Sequence, residues 1–293
     1  MFESIIPLNI GVSSYMPTMY FPESSELAGG YDGDSLLKSH IKLEFEHYTM
    51  TLLENPLTWN WFLARGVPIT PELIKRFRLG FADNSFGKKL SRKYGRKSEV
   101  FRGSMQRAGL YKSTGRPFFH GDMVFPFVSH SGDIEGAYGR RISSENRSNK
   151  LYHRHWNLSA PTFFNVGALN TSKTLVLAKT AFEAINFVAH GVENAVGTMG
   201  IYSFSEKHLE MIVHCDPHEV VLAYDNSDEG NHVSGIIAQC LNAEDVFCSR
   251  LPLPRNHDVN LYLQRYGDKA HSLAHLIENR IPYSQSYENL VER

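Results

Sequence analysis

The stretch VVLAYDNSDEG, Val220 to Gly230, runs apolar until Asp225 and then adds Asp228 and Glu229 within four residues. Carboxylates set where a buried strand stops suit capture of a hard divalent ion. Mg²⁺ takes oxygen ligands and is held through one or two carboxylates plus substrate phosphates and waters. Glu183 follows another apolar run, TLVLAKTAFE, and Asp258 lies in RNHDVNLYL. Asp225 and Asp228 are therefore candidate metal ligands. Plainer roles exist for each. Asp228 and Glu229 also read as first-turn helix acids, favoured there by the helix dipole. Asp225 also reads as a capping acid, and Glu183 as a surface acid. Lys179 precedes Glu183 by four residues, the spacing of an ion pair on one helix face.

The candidate phosphate contacts are basic. From Leu63 to Arg154 there are 19 Lys and Arg against 7 Asp and Glu, a net of +12; the rest of the chain carries −13. Lys88, Lys89, Arg92 and Lys93 are closely spaced, with Phe86, Tyr94 and Phe101 among them. Bases interleaved with aromatics suit a surface that tracks phosphates and stacks bases, although a solvated helix face with inward aromatics gives the same pattern. His153 and His155 in YHRHW have a spacing that suits a metal, yet no third ligand is evident nearby. They read as polar contacts or surface.

These residues need elements to hold them. Residues 1–40 are rich in Pro, Gly and Ser and read as an irregular arm. A helical pattern runs from His40 to about Gly66, with Leu52, Leu53, Trp59, Phe62 and Leu63 as core candidates. In ITPELIKRFRLGFA, Thr70 is the expected N-cap, Pro71 the first helical residue and Gly80 the terminator. DMVFPFVSHSGDIEGAYGRR reads as a hairpin around Ser-Gly-Asp. From about Ser172, short apolar strands alternate with helices four times, ending with EDVFCSRL and DVNLYLQRYG. That alternation predicts a doubly wound, mostly parallel sheet, whose ligands bind beyond the C-terminal strand ends. Those ends carry Lys179, Met199 to Ile201, Asp225 and RNHD. The expected division is an arm (1–40), a basic α+β unit (41–160), an α/β unit (161–270) and a C-terminal helix or tail (271–293).

Composition narrows the class. No apolar run approaches the roughly 20 residues that span a bilayer, and no Lys or Arg precedes Lys38 as a signal peptide would require. A cytoplasmic protein without membrane contact is expected. Cys215, Cys240 and Cys248 lack paired spacing, so neither a disulfide framework nor a zinc site is expected. No phosphate-binding glycine loop or dinucleotide fingerprint supports a small-molecule module.

The order of these segments resembles the catalytic core of DnaG-type bacterial DNA primases, from about Asn55 to Gly267. FLARGVPITPELIKRFRLGFA, FRGSMQRAGLY and GDMVFPFVSHSGDIEGAYGRR are similar to the family's basic N-terminal subdomain, and NKLY to its lysine-bearing stretch. LVLAKTAFEAINFVAHG, AVGTMGI, VVLAYDNSDEG and RNHDVNLYL are similar to the TOPRIM blocks. The resemblance implies a TOPRIM-type sheet behind a basic α+β subdomain. Arg140, Arg141, Lys150 and Arg154 then fall in the stretch that binds template and nucleotide phosphates. Single-stranded DNA or an RNA–DNA hybrid is the implied partner. Nucleoside triphosphates and Mg²⁺ or Mn²⁺ join it if catalysis is retained, and a replicative helicase or a separate zinc-binding protein completes the set.

The departures are specific. The family places a glutamate where Lys179 stands and an aspartate where Glu183 stands, and Asp258 matches the aspartate after its last strand, so the resemblance implies Glu183 and Asp258 as further site acids that could hold one ion with Asp225. Its Asp-x-Asp becomes Asp225-x-Ser227, with Asp228 one residue late. No zinc-binding domain and no room for a helicase-interaction domain are expected. A nucleic-acid-binding replication protein with weakened or lost primer synthesis is implied, of the kind carried by a phage, plasmid or other mobile element. An active primase, or a TOPRIM nuclease, is the alternative. An ammonium at position 179 would neutralise the acidic pocket without a metal.

Overall fold

A computed structural model describes residues 33–87, 96–142, 153–159, 161–265 and 269–283. Helix α1 (Gly33–Glu54) opens the described chain. It starts seven residues before the expected helix, inside the stretch read as arm. The apolar signal is weak there because α1 turns polar side chains inward: His40 and Glu44 are buried with Ile41, Phe45, Tyr48 and Leu52. A 3₁₀ turn (Pro56–Trp59) leads to the short α2 (Asn60–Leu63). Leu52 and Phe62 are core residues as expected, whereas Leu63 is 53% exposed.

Helix α3 (Pro71–Arg76) has the expected cap, with Thr70 Oγ1 accepting from the Leu73 amide at 3.3 Å. Its end differs from expectation. The helix stops at Arg76 and the chain reverses through Arg78 at φ 50°. Gly80 instead begins strand β1 (Gly80–Ala82), where a Cβ would stand 2.5 Å from that of Tyr48. Only glycine lets this strand lie against α1. Helix α4 (Arg96–Arg107) follows. Phe86 and Phe101 are buried, at 1% and 0% exposure, so they serve the core and do not stack bases. Lys88, Lys89, Arg92, Lys93, Tyr94 and Lys150 lie outside the described residues.

The predicted hairpin is β2 (Asp122–Val128) and β3 (Ile134–Arg141), joined by β4 (His153–Asn157) into an antiparallel sheet of order β1-β2-β3-β4. Pro126 lacks an amide proton yet sits in β2. It is tolerated because β1 pairs only as far as Val124, leaving that edge of Pro126 unpaired. Side-chain alternation gives the sheet two faces. Val124, Ala137 and Trp156 point toward Ile41 and Phe45 of α1. Met123, Phe125, Phe127 and Tyr138 point the other way, into a core shared with Phe164, Val176 and Phe182.

The second sheet is built from β5 (Thr174–Ala178), β6 (Ala195–Gly197), β7 (Glu219–Ala223) and β8 (Phe247–Arg250), parallel in the order β6-β5-β7-β8. Helices α5 (Ala181–Ala189), α6 (Glu206–Cys215) and α7 (Asp228–Ala243) connect them, and α8 (Val259–Arg265) and α9 (Lys269–Glu278) follow. The doubly wound sheet is therefore as expected. Its far edge was not foreseen: β9 (Ile281–Pro282) adds antiparallel to β8. Arg280 locks it by donating to both oxygens of Glu219, at 2.6 and 2.8 Å. Among the described residues no helix is long and apolar enough to cross a membrane.

Glu44 is fully enclosed under the first sheet, receiving hydroxyl hydrogen bonds from Tyr48 at 2.5 Å and Tyr111 at 3.0 Å. Burial pushes its pKa up to about 7, the two hydroxyls opposing only part of the effect. The folded state thus favours the protonated acid. That stabilisation is complete below the unfolded value near 4.5 and is lost as pH rises through about 7. Glu44→Gln removes the titration and keeps the shape. The melting temperature of wild type should therefore fall relative to the variant between pH 5 and 8. A change on the order of 2 kcal/mol, or about 5 °C, is expected. Parallel melting curves across that range would contradict this assignment.

Candidate functional site

The C-terminal ends of β5, β7 and β8 bring three carboxylates together. Glu183, Asp225 and Asp258 each offer an oxygen, and the three lie within 4.8 Å of one another. Glu183 stands in the first turn of α5, whose cap Thr180 accepts from the Glu183 amide at 3.2 Å. Asp225 lies two residues beyond β7. Asp258 precedes α8 and accepts from the Leu261 amide at 2.6 Å, so it is a helix cap as well as a site acid. Asp228 is the first residue of α7 and is not in this cluster.

Asn226 holds the acidic turn in place, a role the sequence did not signal. Its amide donates to the His257 carbonyl at 3.0 Å, its carbonyl accepts from the Asn256 amide at 2.6 Å, and its Nδ2 donates to the Leu253 carbonyl at 2.6 Å. These bonds tie the RNHD loop to the turn after β7 and set Asp258 beside Asp225. Ser227 caps α7 by accepting from the Gly230 amide at 3.0 Å. A Cβ at Gly230 would meet the Asp225 carbonyl oxygen at 2.2 Å, so glycine is required where helix and turn touch. Beneath the site, Asn186 of α5 donates to Asn260 of α8 at 2.8 Å.

Lys179 occupies the middle of this acidic pocket. Its ammonium pairs with Asp225, and stands 3.4 Å from Glu183 and 4.0 Å from Asp258. Burial disfavours the charged ammonium, yet the three carboxylates outweigh it and hold the Lys179 pKa above the ordinary lysine value. Burial also pushes Glu183 up to about 8, with Lys179 acting in the opposite sense. Glu183 Oε2 is buried without a hydrogen-bond partner. Three carboxylate oxygens and one orphaned acceptor suit Mg²⁺ or Mn²⁺. The ammonium, however, stands where the ion's charge would be, so the donor set fits one ion only with Lys179 displaced.

The antiparallel sheet presents its own face to this pocket. Tyr138 and Arg140 of β3 pair with His155 and His153 of β4, all on one side. The Arg140 guanidinium lies 5.9 Å from the Trp61 ring centre and 5.5 Å from that of Phe182, a cation–π setting. Arg65 covers Trp61 from 4.3 Å. Arg141 and Arg154 point to the opposite side, where both pair with fully buried Asp122 at 3.4 and 3.2 Å. Strand alternation thus separates three arginines that the sequence grouped: Arg140 lies on the face with Trp61 and Phe182, and the other two tie β2, β3 and β4 together.

An antiparallel sheet leading into a parallel one, with carboxylates beyond the parallel strands, defines the class. Residues 177–263 match the family described as Toprim-like. The whole architecture is the fold of the DnaG-type primase catalytic core. The Aquifex aeolicus primase, with its zinc-binding and RNA polymerase domains, superposes with TM-score 0.74 at 18% identity over 90% of this chain and 66% of that one. A DnaG primase catalytic domain bound to single-stranded DNA gives 0.69 at 16% identity, covering 85% of this chain and 80% of that one. In sequence, the DNA primase of Borreliella burgdorferi is 22% identical over 181 residues, 58% of this chain. That match spans 34% of the Borreliella protein, about a third of its length.

Removing the Lys179 charge leaves three crowded carboxylates with no internal cation. Lys179→Met should lose about 3–5 kcal/mol of stability in metal-free buffer, as expected for an uncompensated buried pair. Millimolar Mg²⁺ or Mn²⁺ should restore much of it, whereas wild type should melt at nearly the same temperature with or without metal. A Lys179→Met protein as stable as wild type in chelator would contradict this account of the pocket.

Proposed function

We propose that the chain is a nucleic-acid-binding protein of DNA replication built on the primase catalytic core, with primer synthesis weakened or lost. The observation that carries this reading is the Lys179 ammonium among Glu183, Asp225 and Asp258. Phosphoryl transfer relies on metal charge to bridge and neutralise phosphate oxygens, and the protein's part is mainly positioning. Were an ion bound, Glu183, Asp225 and Asp258 would hold it and it would supply that neutralisation. With Lys179 in place, part of the pocket's negative charge is already neutralised by the chain itself. Arg140, beside the Phe182 ring that precedes Glu183, would draw a phosphate of a bound strand toward this region. Template binding can therefore persist where catalysis does not.

A second reading, an active primase that displaces Lys179 on loading metal, is favoured by the orphaned Glu183 oxygen. Ribonucleotide incorporation on single-stranded DNA, in Mg²⁺ and in Mn²⁺, separates the two. The first reading predicts salt-sensitive template binding with no products, and Asp225→Ala indistinguishable from wild type in synthesis. Lys179→Glu combined with Ser227→Asp should gain Mn²⁺ binding, since aspartate caps α7 as well as serine does. Short products from wild type that vanish in Asp225→Ala would overturn the first reading and establish the second.

A further inference from the structure

Lys179 stands in the turn between β5 and α5, and the end of β6 grips that turn from one side. Gly197 lies against it: a Cβ there would stand 2.6 Å from the Thr180 carbonyl oxygen and 3.0 Å from the Ala181 amide nitrogen. The Thr198 amide then donates to the Ala178 carbonyl at 3.1 Å, and Met199 forms a β-bridge with Thr180. Between those two contacts lies the side chain of fully buried Thr198. Its hydroxyl is 2.8 Å from the Lys179 carbonyl oxygen and 3.1 Å from that of Gly200, with one proton to donate. The strand end thus meets residues 178, 179 and 180 in succession, and a side chain makes the contact to Lys179. Met199 is itself anchored, because its terminal methyl fills the space over Gly136 of β3, where a Cβ would come within 2.5 Å.

We propose that Thr198 is a positioning residue for Lys179: its hydroxyl fixes the turn so that the ammonium stays among Glu183, Asp225 and Asp258 and keeps a divalent ion out. The proposal rests on the reading of Lys179 given above and names what holds it there. A lysine ammonium sits on a flexible four-carbon stem, so its placement depends on a fixed starting point. Pairing of β5 with β7 fixes the chain before Lys179, and the Thr180 cap fixes the chain after it. The peptide that joins the two is held through the Lys179 carbonyl by Thr198. Without the hydroxyl that carbonyl loses this partner, and a buried carbonyl turns to find another. Such a turn redirects the Lys179 side chain and draws the ammonium away from the acids. The three carboxylates then lack their internal cation, and Glu183 Oε2 already lacks a partner, which is the setting a hard divalent ion fills.

The test uses the full chain and Mn²⁺ alone as the probe. Binding is read from loss of the free-ion paramagnetic resonance signal. Exposure of the ammonium is read from the rate at which acetic anhydride labels Lys179, with exposed Lys207 as the internal reference. Thr198→Val keeps the shape and removes the hydroxyl. It should label about 10-fold faster at Lys179 and take up Mn²⁺ at about 10-fold lower concentration than wild type, the equivalent of one hydrogen bond. Thr198→Ser keeps the hydroxyl and should match wild type in both readouts. Lys179→Met has no ammonium to hold, so adding Thr198→Val to it should leave its Mn²⁺ binding unchanged. If Thr198→Val does not fold, Thr198→Ala takes its place with the same expectations. A Thr198→Val protein that melts lower yet labels and binds as wild type does would overturn the positioning role and leave the reading of Lys179 intact. A gain of equal size in the Lys179→Met background would overturn it too, since Thr198 would then act on the acids directly. Wild type that labels rapidly at Lys179 and binds Mn²⁺ at micromolar concentration would overturn both.

Discussion

The ammonium of Lys179 among Glu183, Asp225 and Asp258 is the interaction on which the site's electrostatics depend. Three carboxylates within 4.8 Å repel strongly in a half-buried setting unless a cation lies among them. A divalent ion is one solution, brought from solvent and removable. A lysine in the turn between β5 and α5 is another, permanent and worth a single charge. The two differ in what they leave available: a metal keeps open coordination positions for phosphate oxygens, and an ammonium bonded to Asp225 and set beside two more acids does not.

The surrounding fold keeps these groups in place. Each acid is also a local structural element: Asp258 caps α8, Glu183 lies over the Thr180 cap of α5, and Asp225 turns the chain between β7 and the Ser227 cap of α7. Asn226 joins two of these loops through three hydrogen bonds. The antiparallel sheet is fixed to the same framework by a core in which Phe125 and Phe127 meet Phe164 and Phe182. That shared core is why Tyr138, Arg140 and the two histidines stand beside the pocket, although they belong to the other sheet.

The parts of this arrangement legible in the sequence are those encoded by short-range pattern. VVLAYD announces β7 because five buried residues precede an acid, and the Thr70-Pro71 cap has a local signature. Where burial and polarity disagree, pattern fails. Helix α1 begins ahead of its apolar pattern because His40 and Glu44 face inward, the latter receiving hydrogen bonds from tyrosines 4 and 67 residues away in the chain. Gly80 read as a helix stop because nothing local shows that Tyr48 lies against it. Arg140 and Arg141 are neighbours in sequence and opposites in space, and only the strand register separates them. Asn226 has no chemical signature at all, since its partners are about thirty residues downstream.

The measurement that bears most directly on the central claim is a crystal of the wild-type protein soaked in Mn²⁺, with anomalous scattering recorded at the manganese edge. The account predicts no manganese among Glu183, Asp225 and Asp258, with the Lys179 ammonium found between them. A manganese ion bound by those three carboxylates, with Lys179 swung away, would contradict it.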